Sequence, residues 1–366
     1  MGLPSTQPVA DLVNAIDRLS IRLKAIQIHS PGGVDKLCFE ETGDPALESP
    51  NDVIVKLRAA AVNRVDIAIR SGQNGAPLSF PHIIGSDGAG TIVAVGRAVT
   101  HVNLGDGVCL YPVFGCGRCD FCASERDHMC ATRSVLGERR HGTYAEYVSV
   151  PGKNCFAIPA GLSFEEAAAF PLVYVTLWRL LITQAELRPG ESLLIVGGGG
   201  IATAALLVAA SLATHIIIAS GNAEKLAKAK MLGAAHGLNY RHTDFAQEVR
   251  SLTGKRGVDV VVDCVGGESW SKSLASLARG GRLVTCGAVA GAAAATDLRR
   301  IFWNNLKVFG AAAGTREEFR QLLNFFAVSG AKPIIDRIYP LHDAAKAHQR
   351  MEKGESFGKI VLRMDE

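Results

Sequence analysis

Residues 191–201, Glu-Ser-Leu-Leu-Ile-Val-Gly-Gly-Gly-Gly-Ile, run a short apolar strand straight into four glycines, and an alanine-rich stretch follows to residue 213. The pattern reads as strand, tight turn and helix. Its spacing matches G-x-G-x-x-A on Gly197, Gly199 and Ala202. The first glycine permits the sharp turn, the second lets a pyrophosphate approach bare backbone, and the small third residue lets helix and strand pack closely. Free N–H groups at the helix start, beginning at Gly200, would then face phosphate charge. Apolar runs at 216–219, 258–264 and 282–286 alternate with helical patterns at 223–232 and 270–278. That alternation predicts an α/β chain carrying one doubly wound parallel sheet.

The end of the second strand selects the dinucleotide. A site for NADH would place Asp or Glu there, on the ribose hydroxyls. Here the residues are Ser220-Gly221-Asn222, followed by Lys225. With no carboxylate to repel a 2′-phosphate, a hydroxyl, an amide and a cation favour NADPH over NADH. Tyr240 and Arg241, after the next short strand, are placed to close over the same phosphate. For Lys225 the plainer alternative is a solvated helix residue; Ser220 carries the inference.

Four cysteines, Cys116, Cys119, Cys122 and Cys130, follow C-x2-C-x2-C-x7-C within a glycine-containing segment. Four thiolates from one loop make a closed tetrahedral shell with no open position, which is the chemistry of one structural zinc per chain. The alternatives are a disulfide pair or four unrelated thiols. Cys38, Cys109, Cys155, Cys264 and Cys286 are scattered singly, an odd number. That favours buried thiols in a reducing compartment, the cytoplasm.

The chain has 366 residues, 48 % of them hydrophobic, enough for about two domains. A net charge of +4, dispersed along the chain, gives no reason to expect nucleic acid. Apolar stretches are broken by Arg179 and His215 before reaching spanning length, so no membrane association is expected, and the first residues lack a basic-then-apolar leader. Within residues 1–21, Val9, Leu12, Val13, Ile16 and Leu19 share one helical face. This extension is expected to pack on its own subunit, with a partner-binding or oligomer-forming arm as the alternative.

Several segments, taken together, resemble the medium-chain dehydrogenase/reductase superfamily over residues 22–366. They are Leu23-Lys24-Ala25-Ile26, Gly85-Ser86-Asp87-Gly88-Ala89-Gly90, Gly105-Asp106-Gly107-Val108, Gly142-Thr143-Tyr144-Ala145-Glu146-Tyr147 and the closing Phe357-Gly358-Lys359-Ile360-Val361-Leu362. The resemblance implies a GroES-like β domain at 22–160 and a Rossmann domain at 161–325. Residues 326–366 would complete the first, and a small-molecule substrate would enter the cleft between the two. It also implies cofactor contacts at Thr176, Gly287 and Lys359, and a homodimer formed by edge pairing of residues 305–310.

The departures from the family are as informative. Its zinc alcohol dehydrogenases hold a second, catalytic zinc through a cysteine, a histidine-glutamate pair and a further cysteine. The corresponding positions here are Asn63, Ser86-Asp87 and a segment, 170–176, without cysteine. Amide and hydroxyl are poor zinc ligands beside thiolate and imidazole, so no catalytic zinc is expected. Without a Lewis acid, quinones and α,β-unsaturated carbonyls become the natural acceptors, as in the zeta-crystallin-like quinone oxidoreductases. Asn63 is the candidate donor to the developing oxygen, or else a turn residue bonding its own backbone. Asp66 is expected to orient that loop, Asp87 to pair with Arg64 or Arg70, and His141 to lie on a surface loop. Two rivals remain open: an alcohol or aldehyde dehydrogenase with an altered metal site, and a non-catalytic NADPH-binding protein.

Overall fold

Strand Asp52–Val62 is the spine of the first unit, and its sequence explains why. Its last residues are small and apolar on both faces: Ala59 and Ala61 enter one core cluster, Ala60 and Val62 another. Such two-sided burial is what near-continuous hydrophobic runs in strands produce. The strand pairs with Asp87–Val95 on one side and, antiparallel, with Lys359–Arg363 on the other. The chain's last strand therefore lies in a sheet begun some 300 positions earlier, with Ile360 opposite Val62. This register sets Lys359 beside Asn63. In the computed structural model the described residues are 23–75, 77–212 and 214–364; the amphipathic pattern expected in 1–21 lies outside them.

The second unit is a six-stranded parallel sheet ordered His236–Asn239, His215–Ser220, Ser192–Val196, Val258–Asp263, Leu277–Thr285, Lys307–Gly310. Alternate residues serve the two faces: Leu193 and Ile195 join the core toward the first unit, Leu194 and Val196 the opposite one. Strand order reverses between Ser192–Val196 and Val258–Asp263, the place where open α/β sheets leave a crevice at their carboxyl ends.

One core cluster crosses between the units, joining Ala59, Ala89 and Tyr111 to Phe170, Tyr174, Phe319 and Phe326. The helix Arg316–Ser329 starts on a reciprocal cap, in which Thr315 Oγ1 accepts from Glu318 N at 3.0 Å and the Glu318 carboxylate accepts from Thr315 N at 2.6 Å. Such a cap contributes about 1 kcal/mol and fixes where the helix begins. No helix among the described residues is long and apolar enough to cross a membrane.

Candidate active site

Asn63 ends the central strand and opens the helix Arg64–Ser71. Its amide nitrogen donates to Ser86 Oγ at 2.9 Å and to Asp87 Oδ2 at 2.8 Å, and its Oδ1 accepts from Lys359 Nζ. The same ammonium donates to Asp87 Oδ2 and to the Val62 carbonyl, both at 3.1 Å. Asp87 Oδ1 accepts from Leu172 N at 2.8 Å. The network is closed: all three ammonium protons and both amide protons have acceptors, and Lys359 and Asp87 are 2 % and 0 % exposed. Asn63 also caps the helix, its side chain and that of Asp66 forming a reciprocal box with the local backbone, so the alternative of a turn residue bonding its own backbone holds alongside the network. Its donors are committed within the network, so they are not free for a substrate oxygen in this state.

Asp87 was expected to pair with Arg64 or Arg70, and it pairs instead with Lys359. Arg70 turns the other way, to Glu352 at 2.5 Å and to His348 Nδ1 at 3.1 Å. The reason is topological: the closing strand delivers a lysine to Asp87, while the helix carries Arg70 to its opposite face. Because arginine only donates, His348 Nδ1 is the acceptor and Nε2–H points to the Tyr144 hydroxyl, 3.0 Å away. Tyr144 then donates to Asp66 Oδ2 at 3.3 Å, which also accepts from Asn63 N at 2.8 Å. Asp66 Oδ1 is buried without a hydrogen-bond partner among the described residues. Burial raises its pKa to about 7, against the Asn63 N–H bond and the Ser86 hydroxyl, which lower it. Asp66 thus holds the loop to a buried Tyr144–His348–Arg70 chain. Burial, with Arg70 nearby, keeps His348 neutral, lowering its pKa to about 3.

The three relevant positions of the glycine turn differ in kind. Gly197 has φ +117°, a conformation side chains rarely adopt. A Cβ at Gly199 would meet nothing within 4 Å, so the second glycine leaves open, bare backbone. Gly200 begins the helix Gly200–Ser211, and a Cβ there would lie 3.4 Å from Lys359 Cδ. Ala202 is buried against the strand. Thr176 is buried on the helix Pro171–Trp178, its hydroxyl donating to Leu172 O at 2.7 Å, one residue's carbonyl away from the peptide N–H held by Asp87. Gly287 ends the fifth strand's loop, exposed, its carbonyl accepting from Thr285 Oγ1 at 3.1 Å.

Ser220 closes its strand with its hydroxyl 3.4 Å from Asn222 N. A Cβ on the adjacent Gly221 would lie 2.8 Å from Tyr240 Cε2 and 2.9 Å from Arg241 Nε, so both side chains fold over that strand end. Lys225 departs from both of its readings. It is neither solvated nor turned toward a phosphate: its Nζ donates to Gly354 O at 2.7 Å and Ser356 O at 2.6 Å. It ties the dinucleotide-type sheet to the loop before the closing strand.

In the cysteine loop the four Sγ atoms all lie within 4.8 Å of one another. Tetrahedral Zn–S bonds of about 2.3 Å require S···S separations near ~3.8 Å. The contacts Cys119–Cys122 and Cys116–Cys122 are 3.6 and 4.0 Å. A Cβ at Gly115 would lie 2.4 Å from Cys122 Sγ, so only glycine admits the wrap. The Arg118 and Cys119 N–H groups lower the Cys116 pKa, and the Thr132 hydroxyl lowers that of Cys130 to about 6. These four residues fit a zinc ion. Asn63, Ser86 and Asp87, with an ammonium already among them, do not. Asp127, between the last two cysteines, forms a buried ion pair with Arg316 at the start of the capped helix. The loop is thereby fastened to the second unit.

Sequence reasoning placed Asn63, Ser86 and Asp87 at one site but missed what neutralises them. Lys359 had a signal, the motif Gly358-Lys359 in a closing strand, yet its partner depended on register. His348 carried none, sitting in an ordinary helical pattern, and Tyr144 lay in a family motif that gave it no role. His141 accepts the Ile83 N–H at 3.2 Å, and its ring lies 5.4 Å from that of His82 at a 39° tilt. Cys264 and Cys286, read as separate thiols, lie 3.2 Å apart.

The sequence matches the alcohol dehydrogenase GroES-like domain over residues 49–160 and the zinc-binding dehydrogenase domain over 200–328. A zinc-type alcohol dehydrogenase-like protein of Schizosaccharomyces pombe is 32 % identical, over 91 % of this chain and 96 % of that one. The quinone oxidoreductase of Homo sapiens is 28 % identical, over 93 % of this chain and 97 % of its own. The crystal structure of an NAD-dependent alcohol dehydrogenase superposes with a TM-score of 0.89 at 36 % identity, covering 93 % of this chain and all of that one. With the two-unit architecture and the glycine turn at the switch point, these likenesses make the chain an oxidoreductase belonging to the medium-chain dehydrogenase/reductase superfamily.

Proposed function

We propose that this protein transfers hydride from NADPH to a quinone or an α,β-unsaturated carbonyl, without a catalytic zinc. The observation that carries the reading is the closed Asn63–Ser86–Asp87–Lys359 network. An ammonium and a zinc ion cannot share one carboxylate oxygen at this spacing. Removing the Lewis acid leaves acceptors that are already electrophilic.

The bound dinucleotide supplies the hydride. The chain's own residues supply placement. Bare backbone at Gly199 and Gly200 receives the pyrophosphate, and Ser220 with Tyr240 and Arg241 receives the 2′-phosphate. Asn63 and Lys359, held by Asp87, fix a rigid polar floor beside the turn, its amide and ammonium dipoles oriented before substrate arrives. Asp66 and Tyr144 hold the loop that carries Asn63. The proton that completes reduction comes from solvent. The cysteine loop takes one structural zinc.

Among the described residues the edge strand Lys307–Gly310 has one side unpaired, and Leu298, Phe302, Trp303 and Val308 beside it are exposed. A second copy pairing along that edge would cover them, which supports a homodimer. The free thiols suit a reducing compartment, the cytoplasm.

NADPH oxidation with 1,2-naphthoquinone and 2-alkenals, and NADP+ reduction with benzyl alcohol, both followed by absorbance, test the reading. Turnover with quinone or alkenal supports it. Zinc-dependent oxidation of benzyl alcohol alone, or no turnover despite NADPH binding, overturns it.

A further inference from the structure

Val260, Val262 and Cys264 project from the fourth parallel strand toward the core shared with the first unit, as Val284 and Cys286 do from the fifth. Val262 pairs with Val284, so two residues on, Cys264 stands opposite Cys286. Their sulfurs are 3.2 Å apart, and both residues are only half-buried. The pair lies at the carboxyl ends of the fourth and fifth strands, the fourth being one of the two strands between which the order reverses. Val265, next in the chain, abuts the glycine turn: a Cβ on Gly197 would lie 3.4 Å from its Cγ2.

We propose that Cys264 and Cys286 are a redox-active thiol pair in the floor of the dinucleotide crevice, closed to a disulfide by a hydroperoxide, with closure and dinucleotide binding mutually opposed. Two residues facing each other across neighbouring strands need little backbone movement to reach disulfide geometry. The hydrogen bond between the two sulfurs favours a thiolate on one of them, lowering the Cys264 pKa and, together with burial, raising that of Cys286. The thiolate sulfur takes the distal oxygen of the peroxide to become a sulfenic acid, breaking the O–O bond and releasing hydroxide or alkoxide. The other thiol then attacks that sulfur, expelling water. Two thiols are oxidised and one peroxide is reduced, giving one disulfide, water and the alcohol or a second water.

Closure acts on binding because the loops following the two cysteines have no slack. Asp263 pins the first through Val265 N at 2.9 Å, Gly266 N at 3.0 Å and Ser273 Oγ at 2.7 Å. Ala290 N donates to Val265 O at 2.7 Å, joining the second loop to the first. Shortening 3.2 Å to the ~2.05 Å of an S–S bond shifts this joined rim against the Gly197 turn. Linkage then requires that bound dinucleotide disfavour the disulfide at equilibrium by the same factor by which the disulfide weakens binding.

This inference rests on the crevice binding NADPH, so the test reads the two separately. Zinc-loaded, reduced protein is treated with hydrogen peroxide with and without saturating NADPH, then alkylated, digested without reductant and examined by mass spectrometry. NADPH affinity is measured in parallel by tryptophan fluorescence. The expected result is a 264–286 linked peptide that NADPH suppresses, with Kd raised about tenfold by peroxide and restored by dithiothreitol. In Cys286→Ser, peroxide should leave the Kd ratio at one. Alkylated, unlinked cysteines at 264 and 286 overturn the proposal, as does a disulfide that leaves Kd unchanged. Failure of the reduced protein to bind NADPH at all overturns the dinucleotide reading, and with it the coupling, while the linked peptide still reports the thiol chemistry.

Discussion

Lys359 Nζ lies 3.1 Å from Asp87 Oδ2, and neither side chain reaches solvent. A buried pair of this kind is worth little against apolar replacements, but breaking one half is costly because a charge stays behind. Lys359→Met should destabilise the fold by about 3–5 kcal/mol in urea unfolding, and Lys359→Met with Asp87→Asn should recover most of that loss. Equal losses in single and double variants would show that the two charges do not depend on each other.

Asp66 gives a pH signature. Its carboxyl is held at about 7 in the fold against 3.8 in the unfolded chain, so the folded state binds the proton more tightly. That stabilisation is complete below the unfolded value and is lost as pH rises through about 7. His348, with its pKa lowered to about 3, works in the opposite direction but is common to wild type and Asp66→Asn, so it cancels in their difference. The stability of wild type relative to Asp66→Asn should therefore fall by roughly 4 kcal/mol at most between pH 4 and 8, measured by chemical unfolding. A pH-independent difference would contradict the assignment.

The proposed NADPH preference rests on Ser220 and Arg241. Ser220→Asp returns a carboxylate to the strand end and should shift kcat/KM toward NADH. Arg241→Ala should raise KM for NADPH about tenfold to hundredfold with little change for NADH, since a charged hydrogen bond contributes about 1.5–3 kcal/mol. Steady-state kinetics with both nucleotides decides; an equal effect on each would remove Arg241 from the 2′-phosphate site.

The exposed edge makes a simple assembly test. Trp303→Glu with Val308→Asp puts two charges onto the apolar strip beside the last strand, where both residues are exposed. The variant should run as a monomer by light scattering with its zinc and secondary structure intact. A dimer of undiminished stability would place the interface elsewhere.

How much of this was legible in the sequence depends on range. The glycine turn, strand alternation and cysteine loop are local patterns, and each is set by residues within about one turn or loop of one another. Asn63, Ser86 and Asp87 could be assembled only through resemblance to a family. Lys359 became their counter-ion because the last strand is inserted antiparallel to the strand Asp52–Val62, a register that no local pattern encodes. Lys225 shows the same limit in reverse: a helix position that looked solvent-facing is covered by carbonyls from residues 354 and 356. Cys264 and Cys286, 22 positions apart, meet only because their strands are neighbours in the parallel sheet.

Zinc content is the most direct measure of the central claim, that lysine and amide fill the place where a reactive metal would sit. Protein equilibrated with excess zinc, freed of loosely held ions and analysed by elemental mass spectrometry should carry one zinc per chain, and Cys122→Ser should lose it. Two tightly held zinc ions in the wild type, with one surviving in Cys122→Ser and lost on Asp87→Asn, would contradict the account.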